Sequence, residues 1–163
     1  MLRVKWSLLR LGVYVLGIST MLTFGIMMYL LAPISSYYLF GNLQIRKNHR
    51  YFIPFALSIW RTFFVWLTDK GYRDMFCLPL ATAPRSAPDQ TIIQLTNTWQ
   101  DEAGDCGQCV RCCLKVKCPL LDHKTGFCLS YKTLHWRYFN CGRYPFTQKQ
   151  IEYYACPKWE LRV

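Results

Sequence analysis

Cys106-Gly-Gln-Cys109-Val-Arg-Cys112-Cys113 opens a series of cysteine blocks that continues with Cys118-Pro-Leu-Leu, Cys128-Leu-Ser-Tyr131, Cys141-Gly-Arg-Tyr144-Pro145 and Cys156. Of the nine cysteines, only Cys77 lies outside this stretch. Two-residue gaps let a tight turn aim two thiolates at one centre and leave backbone amides free to hydrogen-bond the sulfurs, an economy shared by zinc and iron–sulfur sites. Gly107 eases such a turn. The adjacent pair Cys112 and Cys113 is different, because successive side chains diverge, so one of the two is expected to bind elsewhere, pack or react. Cys106 and Cys109 are the foremost ligand candidates, followed by Cys113, Cys128 and Cys141. With Cys112, Cys118 and Cys156 the set reaches eight thiols, enough for two four-coordinate sites or for one site with extras.

The segment that carries them, roughly residues 90 to 163, is too short to rely on apolar burial alone and needs a covalent or metallic staple. Which staple depends on the compartment: dense cysteines read as disulfides outside the cell and as metal ligands in a reducing one. His123 sits in the turn-like Asp-His-Lys-Thr-Gly and reads as solvated; His135 is a secondary ligand candidate. Tyr131, Trp136, Tyr138, Phe139, Tyr144, Phe146, Tyr153, Tyr154 and Trp159 read as a shell packed around the centre rather than as base-stacking groups. Cys77, in Met-Phe-Cys-Leu-Pro, reads as a small buried hydrophobe. The chain's formal charge is +11. These charges are scattered rather than striped, which favours a membrane surface or protein partner over nucleic acid.

Upstream, residues 11–32 (LGVYVLGISTMLTFGIMMYLLA) run without a charge and are long enough, at about 1.5 Å per residue, to cross a hydrocarbon core of roughly 30 Å. The expectation is a transmembrane helix, with Trp6, Tyr37 and Tyr38 as interfacial aromatics and Pro33 at its kink or end. A cleaved signal peptide is the competing reading, but bulky residues follow the run and no small-residue cleavage site closes it. Tyr51 to Leu67 carries a polar stripe of Ser58, Arg61, Thr62, Thr68 and Asp69 opposite Phe55, Ile59, Phe63, Trp66 and Leu67. This fits an amphipathic helix lying in the interface, with a second crossing helix as the alternative. Arg46, Lys47, His49 and Arg50 are placed to meet anionic headgroups. Residues 79–89 hold three prolines and read as a linker, while TIIQLTNTW at 91–99 has the β-branched content of a short strand.

The expected fold is therefore a membrane-anchored chain: one N-terminal transmembrane helix, an amphipathic interfacial helix, then a small irregular α+β cysteine-rich metal-binding domain. Its boundaries are an anchor at 1–40, the interfacial helix at 41–70, a Pro-rich linker at 71–90 and the cysteine module at 91–163. Lys and Arg balance across the span, so charge does not orient it; crowded, odd-numbered cysteines favour the reducing side. That places the protein in a membrane, the bacterial inner membrane, with the module facing the cytoplasm.

The blocks resemble a known family, the zinc- or iron-chelating domains named for a Cys-x-x-Cys-x-x-Cys-Cys signature, to which the flagellin lysine N-methylases are related. Cys106 to Cys113 matches that signature. Cys118-Pro-Leu-Leu is similar to its Cys-x-x-Leu block, Cys128-x-x-Tyr131 to its Cys-x-x-Tyr block, and Cys141 to Pro145 to its Cys-Arg-x-aromatic-Pro ending. The insert between Cys113 and Cys118 is short, the usual Arg-Pro before the position of Cys141 is absent, and the arginine is shifted to Arg143. The resemblance implies an iron–sulfur cluster, a [4Fe–4S] centre by preference, or zinc.

No acid–base pair, phosphate loop or nucleophile–His–acid set is visible. The expected role is a membrane-anchored metal-binding accessory protein or subunit, serving electron transfer or redox sensing beside a membrane protein partner in the lipid bilayer. The alternatives are a zinc-stabilised assembly factor and a protein-methyltransferase-related enzyme.

Overall fold

A computed structural model describes residues 2–76, 91–97, 111–139, 141, 145 and 147–162. The described chain is mostly helical, with one small antiparallel sheet. In order the elements are α1 (Leu2–Leu22), α2 (Ile26–Leu30), α3 (Ala32–Phe40), α4 (Ile45–Asn48), a 3₁₀ turn (His49–Tyr51), α5 (Phe52–Thr68), α6 (Lys70–Met75), β1 (Ile93–Leu95), α7 (Arg111–Lys115), α8 (Leu134–Phe139), α9 (Gln148–Tyr154) and β2 (Trp159–Leu161).

The uncharged run over 11–32 is not one helix. α1 stops at Leu22, and Phe24 and Gly25 then adopt positive φ of 51° and 92°. Gly25 is needed twice over, for its left-handed backbone and because a Cβ there would stand 3.1 Å from the Ala56 side chain of α5. A second break falls at Leu31, and Pro33 begins α3 rather than ending a span, as its fixed φ and missing N–H allow in a first turn. Among the described residues, one helical stretch is long and apolar enough to cross a membrane, and it is Ile45–Thr68. The second hydrophobic segment, not the first, thus meets length and composition together, since α1 at 21 residues is long enough but carries Arg3, Lys5 and Arg10.

α1 buries two of its polar side chains and exposes an apolar face. Arg10 and Thr20 are buried, whereas Val4, Leu8, Leu11, Val15, Ile18 and Leu22, spaced three and four apart, are exposed. The inversion is large: Arg10 is 0% exposed and Leu8 63%. α3 and α5 continue the outward apolar face through Ile34, Tyr37, Leu57 and Phe64. Inward, Met28, Tyr38, Leu39, Phe52 and Phe55 form a core that also takes Leu120 and half-buried Cys118. The N-terminal helices and the cysteine region therefore share one core. α8 packs against both α1 and α3, and the Arg61 guanidinium on α5 donates to the Lys117 carbonyl at 3.4 Å. The polar stripe of α5 accordingly faces the cysteine region, with Ser58 and Thr62 also satisfying their own helix carbonyls.

Directional bonds tie the helices together. The Trp60 indole donates to Met21 O at 2.8 Å, anchoring α5 to the end of α1. Asn48 Nδ2 donates to Ser36 Oγ at 2.7 Å and to Asn42 Oδ1 at 2.8 Å, fixing the turn from α3 into α4. Tyr38, expected at an interface with Tyr37, is buried instead, while Tyr37 remains exposed. The strand expected within 91–99 is present as β1, which pairs Ile93, Gln94 and Leu95 with Leu161, Glu160 and Trp159 of β2. The Pro-rich linker expected at 79–89 lies outside the described residues.

Candidate metal centre

The described cysteines of the module are delivered by several local devices. α7 carries Cys112 and Cys113, and consecutive helical positions point about 100° apart, as the adjacency requires. Cys112 packs beside Tyr72, Met75 and Tyr154, whereas the Cys113 thiol reaches the sulfurs of Cys118 and Cys128. Lys117, at a φ of 51°, turns the chain after α7, and the Cys118 amide donates to Cys113 O at 2.8 Å.

A tight reversal then returns the chain to the same place. Leu121 and Cys128 form an isolated antiparallel bridge, the Gly126 amide donates to Asp122 O at 2.8 Å, and the Leu129 amide donates to Leu120 O at 2.8 Å. Asp122 holds the loop by accepting from the Lys124 amide at 3.0 Å and the Thr125 hydroxyl at 2.8 Å. His123, at the tip, is exposed, in keeping with its solvated reading. At the far end, Thr147 caps α9, and Ala155 in the left-handed region closes it, so that the Cys156 amide donates to Ile151 O at 3.0 Å.

Cys112, Cys113, Cys118, Cys128, Cys141 and Cys156 all line one cavity of about 120 Å³, with Leu120, His135, Trp136, Tyr154 and Trp159 among its walls. Cys141 lines the cavity yet keeps exposed surface. Cys106 and Cys109, the foremost candidates from spacing, lie outside the described residues, as does Cys77. Among the described residues no three Cys, His, Asp or Glu donors are assembled into a ready coordination shell. What the fold does assemble is a set of six cysteines lining one cavity, with Cys113 beside Cys118 and Cys128.

The electrostatics of the trio are uneven. Donation to Cys118 and Cys128, reinforced by burial, pushes the Cys113 thiol well up. The same bond pulls Cys118 down against its desolvation, with help from the Leu120 and Leu121 amides. Cys128 is brought down to about 7 by its bond from Cys113 and by the Ser130 amide. The three side chains thus influence one another's ionisation, and a metal ion bound by such thiols would displace their protons.

His135, a secondary ligand candidate from the sequence, has another place in the structure. Its Nδ1 lies 2.9 Å from Tyr38 Oη, its ring stacks on Phe139 and meets Tyr38 and Phe55 edge-on, and it lines the cysteine cavity. Burial pushes its pKa down to about 3, so the ring is neutral. Beside it, Ser130 Oγ donates to Leu39 O at 2.7 Å in a buried bond. These two contacts join the cavity wall to α3. No sequence signal marks either, since the partners stand more than ninety residues apart.

The depressed pKa has a measurable sign. An unfolded chain protonates His135 near its ordinary value of 6.5, whereas the folded chain resists down to about 3. Stability is therefore complete above 6.5 and falls with pH across that window, by about 1.4 kcal/mol per unit. Thermal unfolding of the wild type and His135→Phe between pH 7 and pH 5 checks this: the wild type should lose more, by about 2 kcal/mol. Equal losses would show that protonation elsewhere, at the cavity cysteines for example, accounts for the acid sensitivity.

No protein-family profile, curated protein or solved structure matches the chain.

Proposed function

We propose that this chain is a membrane-anchored metal protein in which the cysteine cavity holds an iron–sulfur centre, serving as an electron-transfer or redox-sensing subunit rather than as an enzyme. The observation that carries the reading is the convergence of six cysteines, from separate stretches of chain, on one small cavity. Bound thiolates of this kind supply one-electron chemistry when they hold iron and sulfide. The chain's own part is positional. Backbone amides of Leu120, Leu121 and Ser130 are aimed at the sulfurs, a device that stabilises thiolate charge. Leu120, Trp136, Tyr154 and Trp159 hold water away, and neutral His135 leaves the local charge to the sulfurs.

The membrane half of the proposal rests on the inverted helices. A soluble surface does not ordinarily present contiguous bulky apolar side chains while burying an arginine, and a bilayer-facing layer does. Ile45–Thr68 has the length and composition of a span, and the outward stripe on α1 suits the same environment. Because Cys118 packs on the helix core, the centre stands one layer of side chains from the helices, a distance suited to exchange with a membrane partner. The resemblance to the Cys-x-x-Cys-x-x-Cys-Cys domains points to the same chemistry.

Zinc is the second reading, favoured by the contact among Cys113, Cys118 and Cys128, since four sulfurs at about 2.3 Å from zinc must nearly touch. Iron, zinc and acid-labile sulfide analysis of the full chain, isolated anaerobically from membranes, separates the two. The expected result is iron with matching sulfide and a visible absorption band. Zinc alone would replace the redox role with a structural one, and disulfides without metal would overturn both. Release of the protein from membranes by alkaline carbonate would defeat the anchor.

A further inference from the structure

α1 and α3 flank an open apolar groove of about 1160 Å³ on the outward side of the helices. Along α1 it extends from Lys5 to Ser19, about 21 Å at 1.5 Å per residue, which exceeds the depth of one leaflet of a roughly 30 Å hydrocarbon core. Its walls are mostly leucine, valine and isoleucine, with Met27, Pro33 and the rings of Tyr37 and Tyr38. Ser19 donates its hydroxyl to Leu16 O, and Tyr38 is engaged by His135, so neither offers a free polar group to a ligand. Lys5, the first groove residue on α1, is the basic side chain among those lining it. The wider charge agrees: Arg3, Lys5, Arg10, Arg46, Lys47, Arg50 and Arg61 precede the first carboxylate of the chain, Asp69.

We propose that this groove is a binding site for one acyl chain of an anionic phospholipid, with its headgroup at Lys5. The inference rests on the membrane reading above and adds to it a single, saturable site. Charge selects the class, because an anionic headgroup meets an ammonium there and no acidic neighbour in the first 68 residues. Shape selects the chain. Gly12 lines the groove and nothing lies within 4 Å of where its Cβ would be, so the absence of a side chain deepens the channel rather than relieving a clash.

Gly17 supplies the matched control. It too has nothing within 4 Å of a Cβ position, but it does not line the groove. The full chain is reconstituted in phosphatidylcholine vesicles containing a trace of phosphatidylglycerol that bears a photoactivatable acyl chain, and labelled residues are mapped by mass spectrometry. Label should concentrate on groove residues such as Leu9, Val13 and Ile34, and Gly12→Phe should remove it while Gly17→Phe does not. Lys5→Gln should lower the preference for the phosphatidylglycerol probe over its phosphatidylcholine analogue by about fivefold without moving the labelled positions. Label spread over the outward face, at Ile18, Leu57 and Phe64 as much as in the groove and indifferent to Gly12→Phe, would overturn the site and leave the membrane reading standing. Absence of label on every helix would overturn both.

Discussion

Cys113→Ser should leave the isolated protein with almost no bound metal, whereas Cys112→Ser should retain most of it. Neighbours in sequence, the two side chains line one cavity but meet different groups: Cys113 lies beside Cys118 and Cys128, and Cys112 packs beside Tyr72, Met75 and Tyr154. Loss of a coordinating sulfur should exceed the 10- to 100-fold weakening typical of changes to supporting residues, so a loss of more than about 100-fold in affinity is expected at Cys113. Metal binding to cysteine modules of this size also contributes folding free energy, of order 10 kcal/mol for structural zinc. The Cys113 variant should therefore lose protection around α7 and the Leu121–Cys128 bridge as well. Metal content per chain and hydrogen exchange at these amides make the comparison. Equal loss in the two variants would remove the distinction drawn between them, and retention by Cys113→Ser would exclude the trio as the centre.

The second large effect is expected at Phe52. It is 0% exposed, meets the Tyr29 ring edge-on at 5.2 Å, and sits in the cluster that joins Met28, Leu39 and Leu120. Phe52→Ala should cost about 3–5 kcal/mol, the usual range for emptying a packed aromatic site. The consequence should reach the cysteine cavity, because Cys118 packs on the same cluster. Alkylation of Cys118 in detergent-solubilised protein should accelerate in this variant and hardly change in Leu57→Ala, whose side chain faces outward. A Phe52→Ala protein with wild-type alkylation rates would show that the helices and the cysteine region are energetically independent, against the shared core.

The cysteine blocks were legible in the sequence, but Cys106 and Cys109, the foremost ligand candidates, lie outside the described residues. Paired cysteines two residues apart, and the divergence of an adjacent pair, follow from the geometry of a turn and a helix. The placement of Cys112 and Cys113 on α7 obeys that rule. The apolar segments were legible as composition, but not their assignment. Residues 11–32 look continuous on a hydropathy scale, and the break at Phe24 and Gly25 depends on α5 coming within contact of Gly25, a tertiary event. Tyr38 reads as an interfacial aromatic from its position and is buried because residues of distant segments, Phe52, Leu120 and His135 among them, pack around it.

By itself the sequence determined the local matters: helix over the apolar segments, a short strand near residue 93, cysteines in turn-forming blocks, and charge withheld from the N-terminal runs. These follow from backbone preference and side-chain polarity, which act over a few residues. Only the tertiary structure decided which sulfurs meet, which face of α1 is inward, and that Arg10 lies buried beside the cysteine region's α8 while Leu8 is exposed. Those outcomes hang on contacts between segments far apart in the chain, where burial of Phe52, Leu39 and Leu120 in one cluster outweighs any local preference.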